Sequence, residues 1–109
     1  MKKFLILLLI IPNFLLGHLH VTAEEVISTK ATNQSYEIYA RGIVEGLIHS
    51  YIAFKIDAGI EFFCHNESYS TGDYLTIIDG YYLKNKSIYE GSSYVFTADN
   101  ILRKTFPCD

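Results

Sequence analysis

Ser70-Thr71-Gly72-Asp73-Tyr74-Leu75-Thr76-Ile77-Ile78-Asp79-Gly80-Tyr81-Tyr82-Leu83-Lys84-Asn85 admits two readings, and the choice between them decides the fold. As a helix, it starts at Ser70 or Thr71 as the cap. Asp73 then stands in the first turn, where the helix dipole favours an anion, and Tyr74, Leu75, Ile78, Tyr81 and Tyr82 share one face. As a hairpin, Asp79-Gly80 turns between two β-branched and aromatic runs, Thr76-Ile77-Ile78 and Tyr81-Tyr82-Leu83, which is a strong local signal for paired strands. Tyr51 to Ile56 and Ser93 to Thr97 also have strand-like composition, so pattern alone leaves both readings open.

The flanking segments carry helical punctuation. Asn33-Gln34-Ser35 supplies capping residues, and Tyr36, Tyr39 or Ala40, Ile43, Leu47 and Tyr51 recur at the spacing of a helical face. This helix is expected to end near Asp57-Ala58-Gly59, with Gly59 as a left-handed C-terminal cap. Gly42 and Gly46 lie on one side of it, and each costs about 1 kcal/mol relative to alanine in a helix. The pair reads as a close approach of backbones within the domain, ahead of a homodimer seam. A further helix is expected from Ser92 or Ser93 to Thr105, with Val95, Ala98, Ile101 and Leu102 inward, Arg103-Lys104 in the last turn and Pro107 beyond it. Ser87 to Gly91 suits a short turn, and Glu24 to Thr32 a loose start with one turn.

The N-terminus has the layout of an export signal. Met1-Lys2-Lys3 is positive, Phe4 to Gly17 is nearly all apolar, and Val21-Thr22-Ala23 places small or β-branched residues where a signal peptidase reads. Cleavage is expected after Ala23, leaving residues 24–109 as one domain. The apolar run is shorter than the roughly 20 residues of a spanning helix and contains Pro12 and Asn13, so no membrane anchor is expected after cleavage. The chain has two cysteines, Cys64 and Cys108, and export makes one bridge the expectation. That bridge closes a loop of about 45 residues, worth roughly 4 kcal/mol on the chain-entropy model.

Two of the nine basic residues fall in Lys2-Lys3, leaving seven against all twelve acids and a net charge of about −5. That balance argues against nucleic acid, whose phosphates need clustered Lys and Arg, and suits a basic protein partner. Nine tyrosines are present, all at or beyond Tyr36, a large apolar supply with polar tips that fits the rim of a small core or a binding face.

An ordered set of residues resembles the Rap1a/Tai family of immunity proteins associated with type VI secretion. It runs from Tyr39, Gly42-Ile43 and Glu45-Gly46 through Phe63-Cys64, Thr71-Gly72-Asp73, Tyr82-Leu83 and Asn85 to Leu102 and Phe106-Pro107-Cys108. The resemblance covers the chain from about Ser35 onward. It implies an all-α fold, a small single-domain bundle of three to four helices with one disulfide, and so tips the reading of residues 70–85 to helix. It also implies a periplasmic protein that binds and neutralises a toxic effector. Many members carry a further cysteine where this chain has Tyr36, so a second bridge is absent.

Catalytic readings are weaker. Cys64-His65 suggests an activated thiol, but in an oxidising compartment Cys64 is consumed by Cys108. His49 and His65 lack a ligand cluster at metal spacing, and Glu61 with Glu67 reads as solvated loop charge. No metal or cofactor is therefore expected, and the chain reads as a binding protein and not an enzyme. Asn33-Gln34-Ser35, Asn66-Glu67-Ser68 and Asn85-Lys86-Ser87 match the glycosylation acceptor pattern and are incidental in the bacterial protein that the resemblance implies. The expected partner is a secreted effector, a peptidoglycan amidase whose cleft is occluded by the loop beside the bridge, with His65, Asn66, Glu67 and Tyr69 as contacts. The rival expectation is a small periplasmic acid-stress chaperone that binds unfolded clients.

Overall fold

The computed structural model describes residues 21–64 and 67–108, and among these all regular structure is helical. Four helices follow in order: α1 (Ala23–Thr29), α2 (Gln34–Ala58), α3 (Thr71–Lys84) and α4 (Tyr94–Thr105). No helix among the described residues is long and apolar enough to cross a membrane.

The contested stretch is α3. Ser70 and Asp73 form a reciprocal capping box, the Asp73 N–H donating to Ser70 Oγ at 3.2 Å and the Ser70 N–H to Asp73 Oδ2 at 2.8 Å, which satisfies two otherwise orphaned donors. Tyr74, Leu75, Ile78 and Tyr82 are buried. The Asp79-Gly80 hairpin signal is overridden because Asp79 finds its partner far away in sequence: Lys30 Nζ lies 2.5 Å from its carboxylate. Gly80 faces open space, where a helix accepts it at a propensity cost alone.

Asn33 caps α2 through its side chain, which accepts from the Ser35 N–H at 3.0 Å. Gly59 closes it at φ +67°, a left-handed conformation open to glycine without strain, and donates to the Lys55 carbonyl at 3.1 Å. Ala40, Val44, Ile48 and Tyr51 carry its buried stripe. From Ile52 to Glu61 every residue is exposed, so the last two turns project beyond the packed body. The close packing expected at Gly42 and Gly46 is not found. Both are exposed, and a Cβ at either would meet nothing within 4 Å, because the helix turns Ala40 and Val44 inward instead.

In α4 the Ser93 hydroxyl accepts from the Phe96 N–H at 3.1 Å. The inward face is Tyr94, Thr97, Ala98, Ile101 and Leu102. Val95, expected inward, is exposed, since the stripe begins one residue earlier on the larger Tyr94. The turn at residues 85–92 is anchored by buried Tyr89, whose hydroxyl donates to Asn100 Oδ1 at 2.8 Å.

A full helix replaces the loose start. Thr22 caps α1 by accepting from the Glu25 N–H at 3.2 Å, and Ala23 and Val26 are completely buried. Seven residues are too few for a helix to persist alone, so packing and polar ties sustain it. Lys30 reaches Asp79, the Tyr82 hydroxyl donates to Glu24 Oε2 at 2.5 Å, and an antiparallel bridge joins Thr22 to Ser93. The processing point expected after Ala23 falls between this helix's cap and its first full turn.

Candidate functional site

Phe63 anchors the loop between α2 and α3. Its buried ring lies 5.1 Å from Tyr51, 5.7 Å from Tyr74 and 5.4 Å from Phe106, centroid to centroid. Beside it the expected bridge is present: Cys64 and Cys108 are disulfide-bonded with Cα atoms 5.2 Å apart. The Cys64 N–H donates to the Phe106 carbonyl at 3.0 Å, so main chain and side chain fasten the same point. The loop thus leaves a rigid base.

Of the four contact residues expected there, His65 and Asn66 lie outside the described residues. Glu67 is exposed and faces a shallow depression of about 290 Å³ shared with Tyr51, Ile52, Lys55 and Phe63. Tyr69 is only partly available, because its ring packs edge-on to Tyr74 at 5.5 Å and Phe106 at 5.6 Å. Glu61 forms an ion pair with Lys55 at 3.1 Å. Its carboxylate also lies within 4.8 Å of both bridge sulfurs. Sulfurs joined in a disulfide are not thiolates, and thiolates are the nucleophilic and metal-binding form, so this cluster offers no ligand set while the bridge stands.

A second surface went unanticipated. Between α2 and α4 runs a groove of about 400 Å³ lined by Leu47, Tyr51, Phe54, Phe62, Phe96 and Arg103, among others. Phe54 meets Phe62 edge-on at 5.5 Å, and the Arg103 guanidinium lies 4.4 Å above the Phe62 ring, within cation–π range. Asp99 also lines the groove, accepting a hydrogen bond from the Tyr51 hydroxyl and lying 3.6 Å from Arg103 Nε. Burial pushes the Tyr51 phenol well above the ordinary tyrosine range, and the Asp99 carboxylate adds to this, so the hydroxyl stays a neutral donor.

Tyr51 lines both depressions, which places the projecting end of α2 between them. Phe54, 50% exposed, and Phe96, 56% exposed, flank the groove, while Ile56 at 76% and Ile60 at 44% add separate exposed apolar surface at and just beyond the end of α2. Periodicity did not point here: Phe54 lies three residues beyond Tyr51 and continues the face that is buried earlier in α2, yet it is itself half-exposed.

Compared with protein-family models, curated proteins and solved structures, the chain matches none of them.

Proposed function

We propose that this protein is an exported binding protein of the immunity type, which neutralises a secreted effector by seating the projecting end of α2 in the effector's cleft. The observation that carries the reading is the groove flanked by half-exposed Phe54 and Phe96 and by Arg103, beside the Phe62–Cys64 segment that the Cys64–Cys108 bridge fastens. Aromatic side chains beside an arginine are the usual anchors of a protein interface, and a base already ordered before association lowers the entropic cost of binding. The acidic balance of the chain steers it toward a basic partner. The partner class, a type VI effector and specifically a peptidoglycan amidase of the periplasm, comes from the Rap1a/Tai resemblance of the sequence.

The test is co-purification from cells producing candidate wall hydrolases, followed by a hydrolysis assay with and without this protein. A stable complex with one hydrolase and loss of its activity are expected. The same apolar surface suits the chaperone alternative. Suppressed aggregation of several unrelated clients at acid pH, with no hydrolase retained, would favour that alternative.

A further inference from the structure

Cys64 and Cys108 are held together by more than their covalent bond. The Cys64 N–H donates to the Phe106 carbonyl at 3.0 Å, and the Phe63 and Phe106 rings meet edge-on with centroids 5.4 Å apart. Phe106 also packs edge-on against buried Tyr74 at 5.4 Å. The residues leading into both cysteines therefore stay in place when the S–S bond is opened. Reduction leaves two thiols on Cα atoms 5.2 Å apart.

A third donor stands beside them. A Glu61 carboxylate oxygen lies within 4.8 Å of both sulfurs. Its ion pair with Lys55, at 3.1 Å, joins two exposed side chains, and such pairs are worth about 1 kcal/mol or less. Little therefore holds the carboxylate back from a metal ion. Two thiolates with one carboxylate form a donor set that suits zinc, whereas calcium and magnesium take oxygen ligands. On a tetrahedral zinc, with Zn–S bonds of about 2.3 Å, the two sulfurs stand about 3.8 Å apart, a spacing that side-chain rotation provides from these Cα positions. Water can supply the fourth ligand from the depression that Cys64 lines together with Lys55 and Glu67.

We propose that the reduced protein binds a zinc ion through Cys64, Cys108 and Glu61, so that a metal clip takes the place of the bridge. Cys64 is exposed, which gives a reductant access to it. The bridge opens by exchange with a small dithiol: two electrons and two protons pass to the Cys64 and Cys108 sulfurs, the S–S bond breaks, and the dithiol closes to its own disulfide. Zinc then displaces both thiol protons to solvent, because thiolate is the coordinating form. The clip ties residue 64 to residue 108 as the bridge does, and α3 and α4 stay enclosed.

The test opens the bridge of the purified protein with dithiothreitol, removes the reductant under nitrogen, and titrates Zn2+ against a colorimetric chelator, with Co2+ as a spectroscopic probe. The reduced chain is expected to take up one Zn2+, to give the near-ultraviolet sulfur-to-metal absorption with Co2+, and to melt at a higher temperature with Zn2+ than without it. The bridged chain is expected to do none of these. Glu61→Gln keeps both sulfurs and is expected to weaken Zn2+ binding by at least the roughly tenfold that loss of an outer-sphere partner costs. No uptake by the reduced chain, or uptake matched by the bridged chain, overturns the proposal. Unchanged affinity in Glu61→Gln overturns it too, since the carboxylate is then no ligand. Where the reduced, metal-free chain has lost its helices, Zn2+ is expected to restore them, read by far-ultraviolet circular dichroism, and failure to do so sinks the clip.

Discussion

Lys30 and Asp79 meet at 2.5 Å across the contact of α1 with α3, with side chains only 13% and 25% exposed. Burial raises the Asp79 pKa, and the Lys30 ammonium lowers it without cancelling the rise. A carboxyl with a raised folded pKa adds stability that is complete below its unfolded value, about 3.9, and is lost as pH rises through the folded one. Lys30→Ala, which strips the partly buried carboxylate of its cation, is expected to cost about 1–3 kcal/mol at pH 7 and much less near pH 4. Thermal melts at both values check the sign. Asp79→Asn should flatten the profile across that window.

Loss of the bridge should be felt across the whole domain. Cys64→Ser or Cys108→Ser is expected to lower stability by about 2–5 kcal/mol, measured by urea denaturation. Alkylation of the native, unreduced protein followed by mass analysis should find no reactive thiol until a reductant is added.

Two buried hydroxyls stand without a hydrogen-bond partner among the described residues, those of Tyr94 and Thr97. Replacing an unpaired polar group by an apolar one of the same shape removes a desolvation cost. Thr97→Val and Tyr94→Phe should therefore be neutral or stabilising by up to about 1 kcal/mol. A loss above 1 kcal/mol in either variant would show that the hydroxyl is satisfied in solution.

Gly42→Ala and Gly46→Ala meet open space and remove backbone freedom from the unfolded chain. Each is expected to gain up to about 1 kcal/mol. Sedimentation of the double variant gives a second readout. A homodimer seam along this face would be disrupted by the added methyl groups, and the domain would then lose mass and gain no stability.

Phe54→Ala combined with Phe96→Ala should lower stability only modestly, by about 1 kcal/mol, because both rings are about half solvent-exposed. On the proposed function, affinity for a hydrolase captured by the protein should fall more than tenfold. Glu67→Ala, on the other flank of α2, serves as the comparison: a fall confined to Glu67→Ala would move the interface back to the loop beside the bridge.

Local chemistry made much of the fold legible in advance. Asn33, Gly59, the Ser70–Asp73 pair and Ser93 each act within a few residues of themselves, so they mark helix ends without reference to the rest of the chain. Two cysteines allow one bridge, and it is present. What escaped depends on distant partners. The Asp79-Gly80 pair favours a turn until Lys30 is brought to it, and α1 needs Tyr82, Ser93 and Asp79 before its single cap suffices. Gly42 and Gly46 were read for a neighbour that the topology places on the opposite face. The surface at Phe54 and Phe96 was hidden for a related reason: periodicity marks which residues turn inward, and it does not say where a helix outruns the body it packs on.

The bridge between Cys64 and Cys108 spans a sequence separation of 44 and encloses α3 and α4 in a covalent ring, while α1 and α2 stay outside it. Under load the two halves therefore differ. A pull from the N-terminus can straighten α1 and α2 as far as Cys64, and extension then halts at the ring with α3 and α4 still inside it. A translocating motor or processive protease that engages the N-terminal end would meet a mechanical stop at the middle of the molecule, released only by reduction.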